Sequence, residues 1–187
     1  MIDFEAPLLF LPLVGSFLAH APVIRFDWFK ALKHPLDGGA TFRGRRVFGD
    51  NKSWRGALVM AGGALVCALL LSRWPWYWSR LPAPIQSAGP LVFGASSGLG
   101  MVLAELPGSF LKRQRGIAPG AQETHSTVGL LLSLWDQGDF VLGVWLVLAP
   151  VWKMPLRQAA FCFAVVAAVH LALSSIGFAI GARKTVL

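Results

Sequence analysis

Lys33-His34-Pro35-Leu36-Asp37-Gly38-Gly39-Ala40-Thr41-Phe42-Arg43-Gly44-Arg45-Arg46-Val47-Phe48-Gly49-Asp50-Asn51-Lys52-Ser53-Trp54-Arg55-Gly56 is a polar, glycine-rich stretch set between two strongly apolar ones. Eight of the chain's 17 Lys and Arg residues fall between Arg25 and Arg55. Pro35 and the glycines at 38, 39, 44 and 49 interrupt any helix and let backbone approach a ligand closely. Phosphate recognition combines Arg forks, Lys point charges and exposed backbone amides. Asp37, Gly38, Gly39, Arg43, Gly49, Asp50, Lys52, Ser53 and Arg55, with Arg45 and Arg46 among them, therefore form one candidate anion site. A loop that only fixed membrane orientation would need the positive charge, but neither Asp37-Gly38-Gly39 nor Gly49-Asp50-Asn51-Lys52.

Outward from this stretch the chain reads as a membrane protein. It is 55% hydrophobic and only 14% charged, with a mean hydropathy of +0.59. Crossing a hydrocarbon layer of about 30 Å takes about 20 helical residues. Five segments approach that length, 4–24, 56–71, 88–111, 139–152 and 158–182, the second and fourth being short. The expected fold is all-α, a polytopic membrane protein of about five transmembrane helices, forming a single domain over 1–187. Asp3 and Glu5 stand where a cleaved signal would carry Lys or Arg, which favours a retained first span.

The loops 25–55 and 112–137 and the C-terminal tail share one side and carry thirteen basic residues, whereas the other side carries Arg73, Arg80, Lys153 and Arg157. The positive-inside bias makes those two loops cytoplasmic, with the N-terminus outside and the C-terminus in the cytoplasm of a cell (inner) membrane protein. The net charge of +8 does not mark a nucleic-acid binder, since the basic residues flank spans and form no recognition helix. Attraction to anionic membrane lipids accounts for their position. Trp74-Pro75-Trp76-Tyr77-Trp78 reads as an interfacial aromatic belt. Cys67 and Cys162 lie in apolar spans with no metal-ligand spacing.

The second loop opens with Ser109-Phe110-Leu111-Lys112-Arg113 and closes with Asp136-Gln137-Gly138-Asp139-Phe140. If that closing stretch is helical, Asp136 and Asp139 share a face and can converge on one divalent cation. Hard oxygen ligands suit Mg²⁺, which takes one or two carboxylates and leaves other positions to substrate phosphates. Helix capping is the competing explanation of the pair. Glu105, an acid inside an apolar span, needs a partner, for which Lys112 and Arg113 are at hand, or a second metal. His170 is read as a hydrogen bond between helices, with a catalytic role as the alternative, and Gly94, Gly98 and Gly100 as sites of close helix packing or as the lining of a lipid entry groove. Val128 to Trp135 is too short to span and is expected to be interfacial or re-entrant.

Taken in order, PLDGG, GDNKSWRG, SFLKR and DQGDF resemble the CDP-archaeol synthase family, integral membrane relatives of the phosphatidate cytidylyltransferases. The resemblance covers most of the chain. It implies a CTP-dependent transfer of a cytidylyl group to a membrane lipid phosphate, phosphatidate-like or of the archaeal ether type, with release of pyrophosphate and a requirement for Mg²⁺. It further implies metal binding by Asp136 and Asp139, with Lys112 and Arg113 as the adjoining basic pair and Ser109 opening the same signature. Asp37, Gly38, Gly39, Gly49, Lys52 and Arg55 match the first cytoplasmic motif, in which Ser53 stands where Thr is common. Gln122 to Trp135 lengthens the second loop relative to the family pattern. Two alternatives stand beside this reading. A CDP-alcohol phosphotransferase would carry DGxxAR, which Asp37-Gly38-Gly39-Ala40-Thr41-Phe42 does not match. A non-enzymatic lipid-binding or transport protein would use the basic loop for membrane electrostatics alone.

Overall fold

The computed structural model describes residues 3, 5–119, 121 and 126–179. Phe4, Gly120, Gln122, His125, the last three residues of the expected fifth span and the basic Arg183 and Lys184 lie outside the described residues. The fold is helical apart from a two-stranded hairpin in the first loop.

A 3-10 turn, Ala6–Phe10, leads into α1, Leu13–Arg25, and together they form the first candidate span. α2, Trp54–Leu71, starts because Ser53 adopts an extended backbone and its Oγ accepts a hydrogen bond from the Gly56 amide at 3.2 Å. A short α3, Pro75–Trp78, follows. Only part of it behaves as an interfacial belt: Trp74 and Trp76 stack at the surface, whereas Tyr77 is fully buried and its hydroxyl donates to the Leu8 carbonyl at 3.1 Å. α4, Ala83–Gln114, is broken at Gly89, whose φ of 86° only glycine adopts readily, and Pro90 then takes the first-turn position proline tolerates. The long straight part accordingly begins next to the expected start at 88.

The second half departs from five separate spans. The stretch expected to be interfacial or re-entrant is α5, Thr127–Trp135, and it meets α6, Asp139–Leu148, across a bend of 51°. The two qualify as a membrane segment only as a pair, either a broken span or a re-entrant loop. Ten residues of α6 rise only about 15 Å, half a bilayer core, so α6 needs its partner. α7, Leu156–Ala179, is apolar over the shorter stretch Leu156–Ala172. By length and composition three helices among the described residues suffice to span, and the bent pair makes a fourth, so the expected count of five is not reached on these criteria.

α4 is the central element, with α2 on one side and α6 on the other, and α1 packs on α2. Glycines set these distances. A Cβ on Gly98 would sit 2.6 Å from the Ala61 carbonyl oxygen of α2, one on Gly94 2.8 Å from Ala68 Cβ, and one on Gly100 2.6 Å from Val144 Cα of α6. Gly15 and Gly63 make the same kind of contact between α1 and α2, and Gly143 meets Gly100 from the α6 side. Small residues let backbones approach where lipid tails supply no hydrophobic drive between helices.

Gly100→Ala should destabilise the α4–α6 seam by about 1–3 kcal/mol, as overpacking does. Gly62→Ala, whose added methyl meets nothing within 4 Å, should be neutral or slightly stabilising. Apparent Tm values of the two variants in detergent separate the outcomes.

Candidate active site

A cavity of about 380 Å³ opens where the first loop, α4 and the α5–α6 break converge. Asn51 and Lys52 come from the loop, Glu105, Ser109, Lys112 and Arg113 from α4, and Asp136, Gln137 and Asp139 from the break. The α4 residues recur at helical spacing, so one face of one helix carries an acid, a hydroxyl and two cations. Lys52 is placed by an isolated antiparallel bridge between Pro35 and Ser53, with the Leu36 amide donating to the Lys52 carbonyl at 2.7 Å.

Two ion pairs cross the cavity. The Lys52 ammonium donates to Glu105, and the Lys112 ammonium donates to Asp136. Glu105 thus takes its partner from the first loop rather than from Lys112 or Arg113, because the loop folds back over α4. Asp136 and Asp139 do line one cavity, but not through a shared helix face: Asp136 to Gly138 form a turn, and α6 begins at Asp139. Asp136 does not cap α6 either, since the cap position is Gly138, with no side-chain cap bond. Glycine is required there by Phe163, whose ring would lie 2.8 Å from an added Cβ. Asp139, 4% exposed, sits in the first turn of α6. His170 Nδ1 lies 3.3 Å from the Gln137 carbonyl oxygen, joining α7 to the break as a hydrogen bond between elements.

Arg113 is 6% exposed, and its Nε and Nη1 have no hydrogen-bond partner among the described residues. Arg46 and Arg55 each leave one such nitrogen, but neither lines the cavity. Arg113 lines the cavity, and a buried guanidinium with two unpartnered donors is suited to an anion. Gly49 packs against it, with an added Cβ 3.4 Å from Arg113 Nη1.

The remaining candidates from the first loop lie elsewhere. Asp37 is almost fully buried and accepts from the amides of Gly39 at 3.0 Å, Phe48 at 2.9 Å and Gly49 at 3.3 Å and from Arg46 Nη2 at 2.8 Å. Desolvation pushes its pKa up, but these hydrogen bonds outweigh it and bring the carboxyl down to about 2. Gly38 and Gly39, both at positive φ, shape the turn around it. Arg43 and Gly44 form the hairpin turn between β1, Thr41–Phe42, and β2, Arg45–Arg46, both at positive φ as a tight hairpin requires. Asp50 is exposed and pairs with Arg46 at 2.7 Å. Arg55 is buried away from the cavity, its Nη1 2.5 Å from Asp27 Oδ1. Ser53, beyond capping α2, lines an adjoining cavity of about 290 Å³ with His20, and this second space shares Asn51, Lys52 and Glu105 with the first. Sequence reasoning passed over Asn51 and Gln137, whose uncharged amides give no charge signal although both sit inside the quoted motifs.

Among the described residues no group of three or more His, Cys, Asp or Glu could hold a metal ion by itself. Paired cations and carboxylates gathered at the break of an apolar helical pair mark a site for charged ligands within a membrane protein. The family model described as CarS-like, CDP-archaeol synthase, matches residues 29–186. The CDP-archaeol synthase of Pyrococcus furiosus is 32% identical over 140 residues, 73% of each chain. That of Methanosarcina barkeri is 31% identical over 167 residues, 80% of this chain and 88% of its own. The solved structure of an intramembrane enzyme for archaeal membrane lipids biosynthesis superposes with a TM-score of 0.64 at 25% identity, covering 92% of this chain and 98% of that one. The chain belongs to the CDP-archaeol synthase family. It is a multi-pass membrane protein and a CTP-dependent lipid cytidylyltransferase.

The Asp37 carboxyl, depressed from 3.8 to about 2, stabilises the folded loop above the higher value and loses that contribution as pH falls through the lower. The shift is worth roughly 2 kcal/mol. Asp37→Asn should therefore lower apparent Tm near neutral pH, and the gap to the parent protein should close as pH approaches about 2.

Proposed function

We propose that this chain transfers the cytidylyl group of CTP to the phosphate of an ether-linked lipid of archaeal type, releasing pyrophosphate and forming a CDP-activated lipid. The chain works as one integral domain over 1–187, with the loop 25–55 and the connection from the end of α4 to the start of α5 on the cytoplasmic side, where CTP is available, and the N-terminus outside. The observation that carries the reading is the convergence of Lys52, Ser109, Lys112, Arg113, Asp136 and Asp139 on one cavity.

In the reaction an oxygen of the lipid phosphate attacks the α-phosphorus of CTP, a new P–O bond forms, and the bond to the β-phosphate oxygen breaks. The nucleophile is already ionised at neutral pH and needs no general base. Bringing two polyanions together makes positioning and charge neutralisation the main catalytic demands. Arg113, with two donors to spare, holds nucleotide phosphate, and Lys52 and Lys112 turn from Glu105 and Asp136 toward the leaving pyrophosphate. Ser109 contributes a hydroxyl to the same wall. Asp37, Gly38, Gly39, Arg43, Asp50 and Arg55 serve by holding the loop that presents Asn51 and Lys52. Gly49 lets that loop close over Arg113.

Two carboxylates facing a phosphate site fit Mg²⁺, which needs few protein ligands when phosphates complete its shell. Asp136 and Asp139 would hold the ion, which would neutralise nucleotide phosphate charge. Release of Asp136 from Lys112 frees it for that role.

Detergent-purified protein incubated with labelled CTP, Mg²⁺ and a panel of lipid phosphates should label ether-linked acceptors ahead of diacyl phosphatidate. Label in the diacyl lipid alone would reassign the acceptor, and label in neither would sink the reading. Asp136→Asn and Asp139→Asn should abolish Mg²⁺-dependent product while leaving membrane insertion intact; full turnover by both would remove the metal assignment. Lys52→Ala should weaken CTP binding in a titration, and unchanged affinity would take Lys52 out of the nucleotide site.

A further inference from the structure

A further cavity, of about 270 Å³, lies between α1 and α7. Phe10, Val14, Val166 and Val169 form its walls, and apart from His170 its lining is apolar throughout. It faces outward, since Val14 is 46% and Val169 54% exposed. In a membrane those side chains meet hydrocarbon. Three residues line both this cleft and the polar cavity: Phe17, Phe140 and His170. Their rings contact one another pairwise, with centroids 6.3 Å apart for Phe17–Phe140 and Phe17–His170 and 6.2 Å for Phe140–His170. The ring triad is a shared wall, cationic and acidic groups on one side of it and aliphatic side chains on the other.

We propose that the cleft between α1 and α7 binds a hydrocarbon chain of the lipid phosphate, and that the Phe17–Phe140–His170 triad seats the neck of the lipid at the boundary. This inference rests on the cytidylyl-transfer reading of the polar cavity. A lipid phosphate has an anionic head and an apolar tail, and it needs two adjoining spaces of those characters. Among the cavities described, the α1–α7 cleft is the apolar one that touches the Lys52–Lys112 site and also opens to the bilayer. The acceptor accordingly reaches the site sideways from the membrane, while CTP arrives on the side of the polar loops. His170, already fixed to Gln137 at the break, is the polar member of the boundary and aligns the head with the carboxylate pair. It is a positioning residue.

The decisive experiment uses the full chain in detergent with a long-chain lipid phosphate bearing a photoreactive diazirine on its tail. Labelling should concentrate in residues 7–17, across the 3-10 turn and the start of α1, and in the α7 stretch 165–170. It should be competed by unlabelled long-chain lipid phosphate and not by neutral phosphatidylcholine. Val166→Trp should suppress that labelling and lower turnover of the long-chain acceptor roughly tenfold or more, while leaving CTP affinity and turnover of a short-chain lipid phosphate unchanged. Labelling spread over the outer faces of α2 and α4, or competed equally by the neutral lipid, would overturn the proposal. Labelling of the cleft by a protein that makes no CDP-lipid from any acceptor would keep the binding site and reject the transfer reaction instead. Because labelling of the unaltered chain needs no substitution, a Val166→Trp protein that fails to fold leaves the test intact.

Discussion

Polar groups placed within an apolar bundle must find their partners inside the protein, and this constraint organises the rest of the molecule. Breaking a membrane segment at Asp136-Gln137-Gly138 frees backbone groups and adds two carboxylates where water is scarce. Such a break survives only where it lines a cavity and its charges are matched. The matching residues come from distant parts of the chain: Lys112 from the end of α4, His170 from α7, and Lys52 from the first loop through Glu105. One ion pair, Lys112 with Asp136, ties the break to α4, and a second, Lys52 with Glu105, draws the loop down onto the same helix. A site and a fold constraint share the same atoms.

The precision of that arrangement depends on α4. Because Gly94 and Gly98 face α2 while Gly100 faces α6, one helix is held at close backbone distance on both sides. Its next two turns then project Glu105, Ser109, Lys112 and Arg113 into the cavity. The glycines contribute no chemistry, yet the height of Lys112 relative to Asp136 follows from how far α6 can approach Gly100. A scaffold built from small residues gives rigid placement in a medium where the hydrophobic effect gives none.

How far the sequence revealed this differs with the type of signal. Apolar length located α1, α2, the straight part of α4 and α7 to within a few residues, because spanning a bilayer is a one-dimensional requirement. It found α5 and α6 as separate short pieces, the first interfacial or re-entrant and the second a short span, but not their pairing, since each is too short to qualify alone. The motifs SFLKR and DQGDF pointed to residues that do meet, since side chains at helical spacing or beside a single turn stay close in space. Glu105 was recognised as needing a partner, but the partner is 53 positions away, and no local rule encodes a loop folding back on a helix.

The charged loop illustrates the same limit from the other direction. Read as composition, its cations and carboxylates look like one anion site. In the structure most are spent on each other: Arg46 joins Asp37 and Asp50, and Arg55 joins Asp27 beside a strained turn where Asp27 and Phe29 hold positive φ. Arg43 lies over the Phe42 ring and Arg45 donates to the Gln114 carbonyl, which leaves Lys52, paired with Glu105, as the loop cation that lines the cavity, beside the amide of Asn51. The loop's density of charge is therefore mostly the cost of giving a glycine-rich segment one conformation, since glycine loses more freedom on ordering than any other residue. In the proposed cytidylyl transfer, phosphate binding would fall mainly to α4, to Lys112 and to Arg113, whose Nε and Nη1 lack partners among the described residues. With those donors on the helix and Lys52 on the loop, the loop could adjust to the nucleotide without moving the groups that would fix it.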